Sequence, residues 1–111
     1  MQTQKIKNAL AKFHNPYSCA QTVYAAFAEN PTQERLDEMK RMSGGRAEGG
    51  LCGALFAAKA FVPAEMAGEL AQYFESRAGS RLCREIKAKF KTPCADCVRI
   101  ACEGVEKFGK I

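Results

Sequence analysis

A chain of 111 residues, 47% apolar and without tryptophan, can fill one core but not two. Its net charge of +5 gathers in the last third, where nine Lys/Arg from Arg77 onward face four Asp/Glu. That run lacks the aromatic interleaving that base stacking needs, which argues against a nucleic-acid surface and for a solvated helix face or an acidic protein partner.

The first thirteen residues, MQTQKIKNALAKF, alternate lysines with short apolar groups. They lack the apolar centre and small-residue cleavage site of a signal peptide. Asn15-Pro16, Asn30-Pro31 and Thr92-Pro93 each put a capping residue before a proline suited to the first helical position. A helix is expected after Asn15, with Ala20, Val23, Tyr24 and Phe27 on one face. A second is expected after Asn30, where TQERLDEMKRM has acids early and bases late, matching the helix dipole. It should stop at Ser43-Gly44-Gly45.

The next stretch, SGGRAEGGLCGALFAA, sets four glycines before Cys52 and one after it. It then turns apolar on all sides, as a buried central helix does. A phosphate cradle would need the Lys-Ser/Thr of a P-loop and a preceding strand, and neither is there. Gly53 and the alanines instead predict close approach of another chain segment or a second sulfur. The apolar block Leu51–Pro63 is interrupted by Lys59 and is too short to span a bilayer. Lys59 should snorkel to solvent, or else lie near the sulfurs. Ser80 is placed to cap RLCREIKAKF, with Leu82, Ile86 and Phe90 as its apolar stripe, and Thr92-Pro93 opens a last helix. No long alternating run of β-branched residues argues for strands. The expected fold is all-α, a single domain over residues 1–111 built as a bundle of about six short helices.

Six cysteines in a chain expected to be cytoplasmic point to metal binding or reversible redox chemistry, because structural disulfides are uncommon there. On these helix assignments Cys19, Cys52, Cys83, Cys94 and Cys97 fall in or near first turns. Unpaired N–H groups there favour a thiolate. Cys83, flanked by Arg81 and Arg84, is the expected activated thiolate. Cys94 and Cys97 form C-x-x-C and share a broad helical face with Val98, Ala101, Cys102, Val105 and Phe108, so these thiols should look inward. Cys102 sits at the edge of that face and reads as a packing cysteine.

Three functions follow from these residues. In the first, dithiols cycle to disulfides, with Cys94 and Cys97 as a reversible pair and Cys52 and Cys19 as a second pair or relay. The protein would then exchange electrons with a thiol reductant or redox partner protein through a mixed disulfide. In the second, Cys94 and Cys97 join two of Cys19, Cys52 and Cys83 to ligate zinc or an iron–sulfur cluster. A second C-x-x-C is missing, and His14, the only histidine, reads as a solvent-facing or capping residue. In the third, the basic third docks an acidic protein and the cysteines are incidental.

The segments SCAQTVYAAF (Ser18–Phe27), GGLCGALFAA (Gly49–Ala58), LCREI (Leu82–Ile86) and PCADCV (Pro93–Val98) resemble, in kind and order, the redox-active protein family named for its cysteine motif, C_GCAxxG_C_C. The resemblance implies thiol redox behaviour carried by Cys19, Cys52, Cys83 and one of Cys94 and Cys97. The chain departs from the family pattern with Ala57 or Ala58 where a glycine is usual, and with the extra Cys102.

Overall fold

Ser18 opens the first described helix in the computed structural model, which describes residues 18–28, 30, 32–43 and 48–109. Helix α1 (Cys19–Phe27) starts with a reciprocal capping box. The Gln21 N–H donates to the Ser18 hydroxyl, and the Ser18 N–H donates to Gln21 Oε1 at 3.0 Å. This box supplies the start expected of Asn15-Pro16. Those two residues, His14, Pro31 and Gly44-Gly45 lie outside the described residues. Helix α2 (Gln33–Arg41) is capped by the Thr32 hydroxyl, which accepts from the Arg35 N–H, two residues beyond Asn30. Its Glu34 and its Lys40 and Arg41 stand at the expected ends.

A 3₁₀ turn, Glu48–Gly50, passes through left-handed Gly49 and Gly50 and leads to α3 (Gly53–Lys59). A further 3₁₀ turn, Ala64–Met66, runs into α4 (Ala67–Ala78), which stops at left-handed Gly79. Leu82, not Ser80, is the N-cap residue of the one-turn helix α5 (Cys83–Glu85). Ser80 still serves this start: its hydroxyl accepts from the Leu82 N–H and donates to Glu85 Oε1. From Ile86 to Phe90 the chain widens into a π-helical turn, closed by the Lys91 N–H donating to the Ile86 carbonyl. The expected stripe therefore breaks. Ile86 is buried, but Phe90 is 51% exposed and lies over Gly79, where a Cβ would collide with its ring.

Helix α6 (Cys94–Phe108) begins one residue later than Thr92-Pro93 suggests, with Pro93 in the cap position and no side-chain cap. Thr92 is occupied elsewhere, donating from its hydroxyl to the Ala78 carbonyl at 2.8 Å.

Among the described residues six helices pack on one core, and the only β pairing is an isolated antiparallel bridge between Leu51 and Leu82. Central α3 puts Ala54, Leu55, Ala57 and Ala58 out of solvent altogether. It packs against α1 on one side and α6 on the other. Helix α4 closes the remaining face of α6, where Leu70 fills the space that a side chain at Gly104 would need. Lys59 is exposed at the end of α3. Among the described residues no helix is long and apolar enough to cross a membrane.

Three tethers bring the helix starts together. At the start of α1, Ser18 Oγ lies 2.8 Å from Ser43 Oγ, and Ser43 Oγ also donates to the Met39 carbonyl. The Cys52 N–H donates to the Arg81 carbonyl at 2.9 Å beside the Leu51–Leu82 bridge, which sets the start of α3 against that of α5. Thr92 holds the start of α6 to the end of α4. Gly53 makes the closest of these approaches possible. A Cβ there would lie 2.9 Å from Cys19 Sγ, 2.9 Å from Ser43 Cα and 3.1 Å from the Met42 carbonyl oxygen.

Ala is ordinarily the better helix former, by about 1 kcal/mol over Gly, so Gly53→Ala has a diagnostic sign. Two of its three collisions involve backbone that cannot swing away. Urea denaturation is expected to show a loss on the order of 1–3 kcal/mol, not a gain.

Candidate functional site

The starts of α1, α3, α5 and α6 meet around a cavity of about 30 Å³, room enough for a water-sized guest. Cys19, Cys52, Cys83, Cys94 and Cys97 all line it, with Gly53, Ile86, Lys87 and Thr92. All five cysteines singled out in the sequence thus share one space, although the first and last are 78 positions apart in a 111-residue chain. Cys19, Cys83 and Cys94 are the first residues of α1, α5 and α6; Cys52 is the N-cap residue of α3; Cys97 sits one turn into α6. All six cysteines of the chain are free thiols.

Their surroundings differ sharply. Cys52 and Cys97 are buried, at 5% and 4% exposure. Cys19 and Cys83 are half-buried, and Cys94 is exposed. Cys94 therefore stands at the rim and not in the interior, where the face it shares with Cys97 had placed it. Cys102 is fully buried in the core and is not part of the lining. Burial, with the charges of Glu106 and Glu103, pushes its pKa up to about 12, which keeps it a packing thiol.

Cys52 is the acidic one. A hydrogen bond from the Cys97 thiol is the largest cause, and it outweighs the burial that opposes ionisation. The N–H groups of Leu55 and Ala54 and the charge of Lys87 act in the same direction, bringing the pKa to about 7. Cys97 is the complement. The hydrogen bond to Cys52 holds its proton in place, and burial and the neighbouring sulfurs push its pKa further up. The pair sets a thiol whose anion is favoured beside one that keeps its proton.

Cys83 is not the activated thiolate that Arg81 and Arg84 suggested. Burial raises its pKa, and Lys87 offsets this only in part. Arg81 is drawn to Glu75, with its Nε 3.4 Å from Oε2, and Arg84 is exposed. The cation of the site is Lys87, which the sequence showed only as part of a basic run. Its position four residues after Cys83, one helical turn away, was the available signal. The apolar wall at Ile86 and the hydroxyl wall at Thr92 carried no signal of their own.

Among the described residues, no group of three or more His, Cys, Asp or Glu is arranged to hold a metal ion. The five thiols that the zinc or iron–sulfur alternative would draw on line one cavity.

Residues 17–108 match the family model described as "Putative redox-active protein (C_GCAxxG_C_C)". The chain belongs to this family. The C_GCAxxG_C_C match contains every cysteine of the chain and ends at the last residue of α6. Comparison with curated proteins and with solved structures gives no match. Ala57 and Ala58, one or other of which stands where the resemblance expects a glycine, are both fully buried in the core.

Ultraviolet thiolate absorbance, compared between wild type and Cys52→Ser, is expected to show a step at Cys52 with a midpoint near pH 7, well below that of an ordinary thiol. Lys87→Met should move that midpoint upward, because a favourable charge is removed. Cys102 should contribute no step near neutral pH, its pKa being pushed up to about 12.

Proposed function

We propose that the protein is a cytoplasmic thiol–disulfide redox protein whose reversible pair is Cys52 and Cys97. The observation that carries this reading is the burial of the two in the wall of one cavity, at 5% and 4% exposure, with Cys97 the main cause that lowers the Cys52 pKa. A thiolate with its pKa near ambient pH is the effective nucleophile in exchange and also a good leaving group. Membership of a redox-active family supports the same chemistry.

The reaction is a two-electron exchange. A disulfide R–S–S–R takes two electrons and two protons and leaves as two R–SH, while the Cys52 and Cys97 sulfurs lose their protons and join. Run in reverse, a dithiol reduces the protein. Cys52 and Cys97 are preferred to the Cys94–Cys97 pair suggested by C-x-x-C spacing, because Cys94 is exposed while Cys52 is buried with Cys97 in the cavity wall. Cys19 and Cys83 wall the cavity, and Lys87 favours negative charge at both Cys52 and Cys83.

The partner is a thiol reductant or a redox protein with an acidic surface. Arg84, Lys87, Lys89 and Lys91 are exposed along the segment that forms one wall of the cavity, and exposed charge of one sign speeds encounter with its opposite. This joins the interaction-module reading to the redox one.

Oxidation with diamide is expected to lower the intact mass by about 2 Da, reversibly on reduction, with peptide mapping linking Cys52 to Cys97. Cys97→Ser should abolish this bridge while costing only about 1–3 kcal/mol, since a buried hydroxyl replaces the thiol. A bridge elsewhere, or six thiols that stay free, overturns the reading. Global unfolding of Cys97→Ser would mean that the residue is structural.

A further inference from the structure

A thiol–disulfide exchange needs direct approach of one sulfur to another, and the proposed pair does not permit this from outside. Cys52 and Cys97 are almost wholly covered, and the space beside them holds little more than a water-sized group. A disulfide or dithiol carried by another protein cannot reach either sulfur. Cys94 differs from both: it is exposed, yet it lines the same cavity. It also opens the helix that carries Cys97 one turn further on, and residues three apart on a helix stand one above the other on a common face.

We propose that Cys94 is the exchange thiol of this protein, relaying electrons between an external protein dithiol or disulfide and the buried Cys52–Cys97 pair. The relay rests on the reading of that pair as the reversible one.

In the reducing direction, the Cys94 thiolate attacks the Cys97 sulfur of the Cys52–Cys97 disulfide. The Cys94–Cys97 bond forms, the Cys52–Cys97 bond breaks, and Cys52 leaves as the thiolate. No electrons are gained or lost by the protein in this step. The bridge has moved to the rim, where one sulfur is exposed. A thiolate of the partner dithiol then attacks Cys94, giving a mixed disulfide and releasing Cys97, which takes up a proton. The partner's second thiol loses its proton and attacks its own bridged sulfur, freeing Cys94. The partner ends as a disulfide, and its two electrons now reside on the protein's thiols. Oxidation by a partner disulfide follows the same steps backwards.

Two features suit Cys52 to be the sulfur expelled. The N–H groups of Leu55 and Ala54 and the Lys87 charge favour its anion, and better-stabilised thiolates leave faster. Cys97, touching one partner within the cavity and lying one turn from the other, is the shared centre. Cys19 and Cys83 are half-buried, and neither shares a helix with Cys97.

The test compares wild type and Cys94→Ser, each first oxidised with diamide and mapped for the Cys52–Cys97 bridge. Each is then reduced by thioredoxin, as a protein dithiol, and separately by dithiothreitol. The relay predicts that Cys94→Ser slows reduction by thioredoxin on the order of tenfold or more, and slows dithiothreitol far less. It also predicts that Cys97→Ser treated with Ellman's reagent keeps a stable thionitrobenzoate adduct at Cys94, whereas wild type expels it to form a protein disulfide. Equal thioredoxin rates in wild type and Cys94→Ser, with the Cys52–Cys97 bridge present in both, overturn the relay and leave the pair standing. An oxidised wild type that lacks the Cys52–Cys97 bridge overturns the pair itself, and the relay with it.

Discussion

The site depends on a side chain that is not there. Any Cβ on residue 53 would run into the Cys19 sulfur, the backbone of Ser43 and the Met42 carbonyl at once, so only glycine lets α1, α3 and the end of α2 meet at this point. The Ser18–Ser43 contact holds one side of that junction, and the Cys52–Arg81 hydrogen bond ties the other to α5. Each tether is one or two hydrogen bonds, individually worth about 1 kcal/mol. What makes them sufficient is that they act at the edge of a helix whose inner residues are completely buried.

This placement settles how the sulfurs behave. A thiol taken out of water resists ionisation, as Cys83 and Cys102 do. Cys52 is buried almost as fully as Cys102, yet its pKa is lowered, because a second thiol, two backbone N–H groups and a lysine favour its anion. Burial and local hydrogen bonding thus separate thiols that composition alone would treat alike. The charge that counts is also the one in reach: Lys87 acts on the cavity, while Arg81 is engaged with Glu75.

Much of this was legible in the residues. The all-α class, the helix succession, the buried character of the segment after Cys52, the packing role of Cys102 and the close approach permitted by Gly53 all follow from local pattern. The helix starts were less so. Proline at 93 signals a helix but not its first residue, and the hydroxyl of Thr92 was diverted to Ala78. Ser18 caps α1 because Gln21 stands where it can return the hydrogen bond. The ranking of the thiols was not legible. Arg81 and Arg84 adjoin Cys83 in sequence, but adjacency sets neither burial nor which carboxylate claims a guanidinium. C-x-x-C spacing advertises a local pair, whereas the cavity also sets Cys97 with thiols from three other helix starts, a long-range arrangement that no short motif encodes. The π turn after Glu85 was equally hidden, and it is what leaves Phe90 outside.

The contact between α3 and α6 carries a further meaning for energetics. A covalent link between Cys52 and Cys97 would close a loop of about 45 residues, which in the chain-entropy account restricts the unfolded ensemble by about 4 kcal/mol. Folding and redox state are then two sides of one thermodynamic cycle. Whatever the link adds to the stability of the native state is returned as resistance to reduction, about 30 mV for each 1.4 kcal/mol in a two-electron couple. The same packing that buries the core would thereby set the potential at which the protein gives up its electrons.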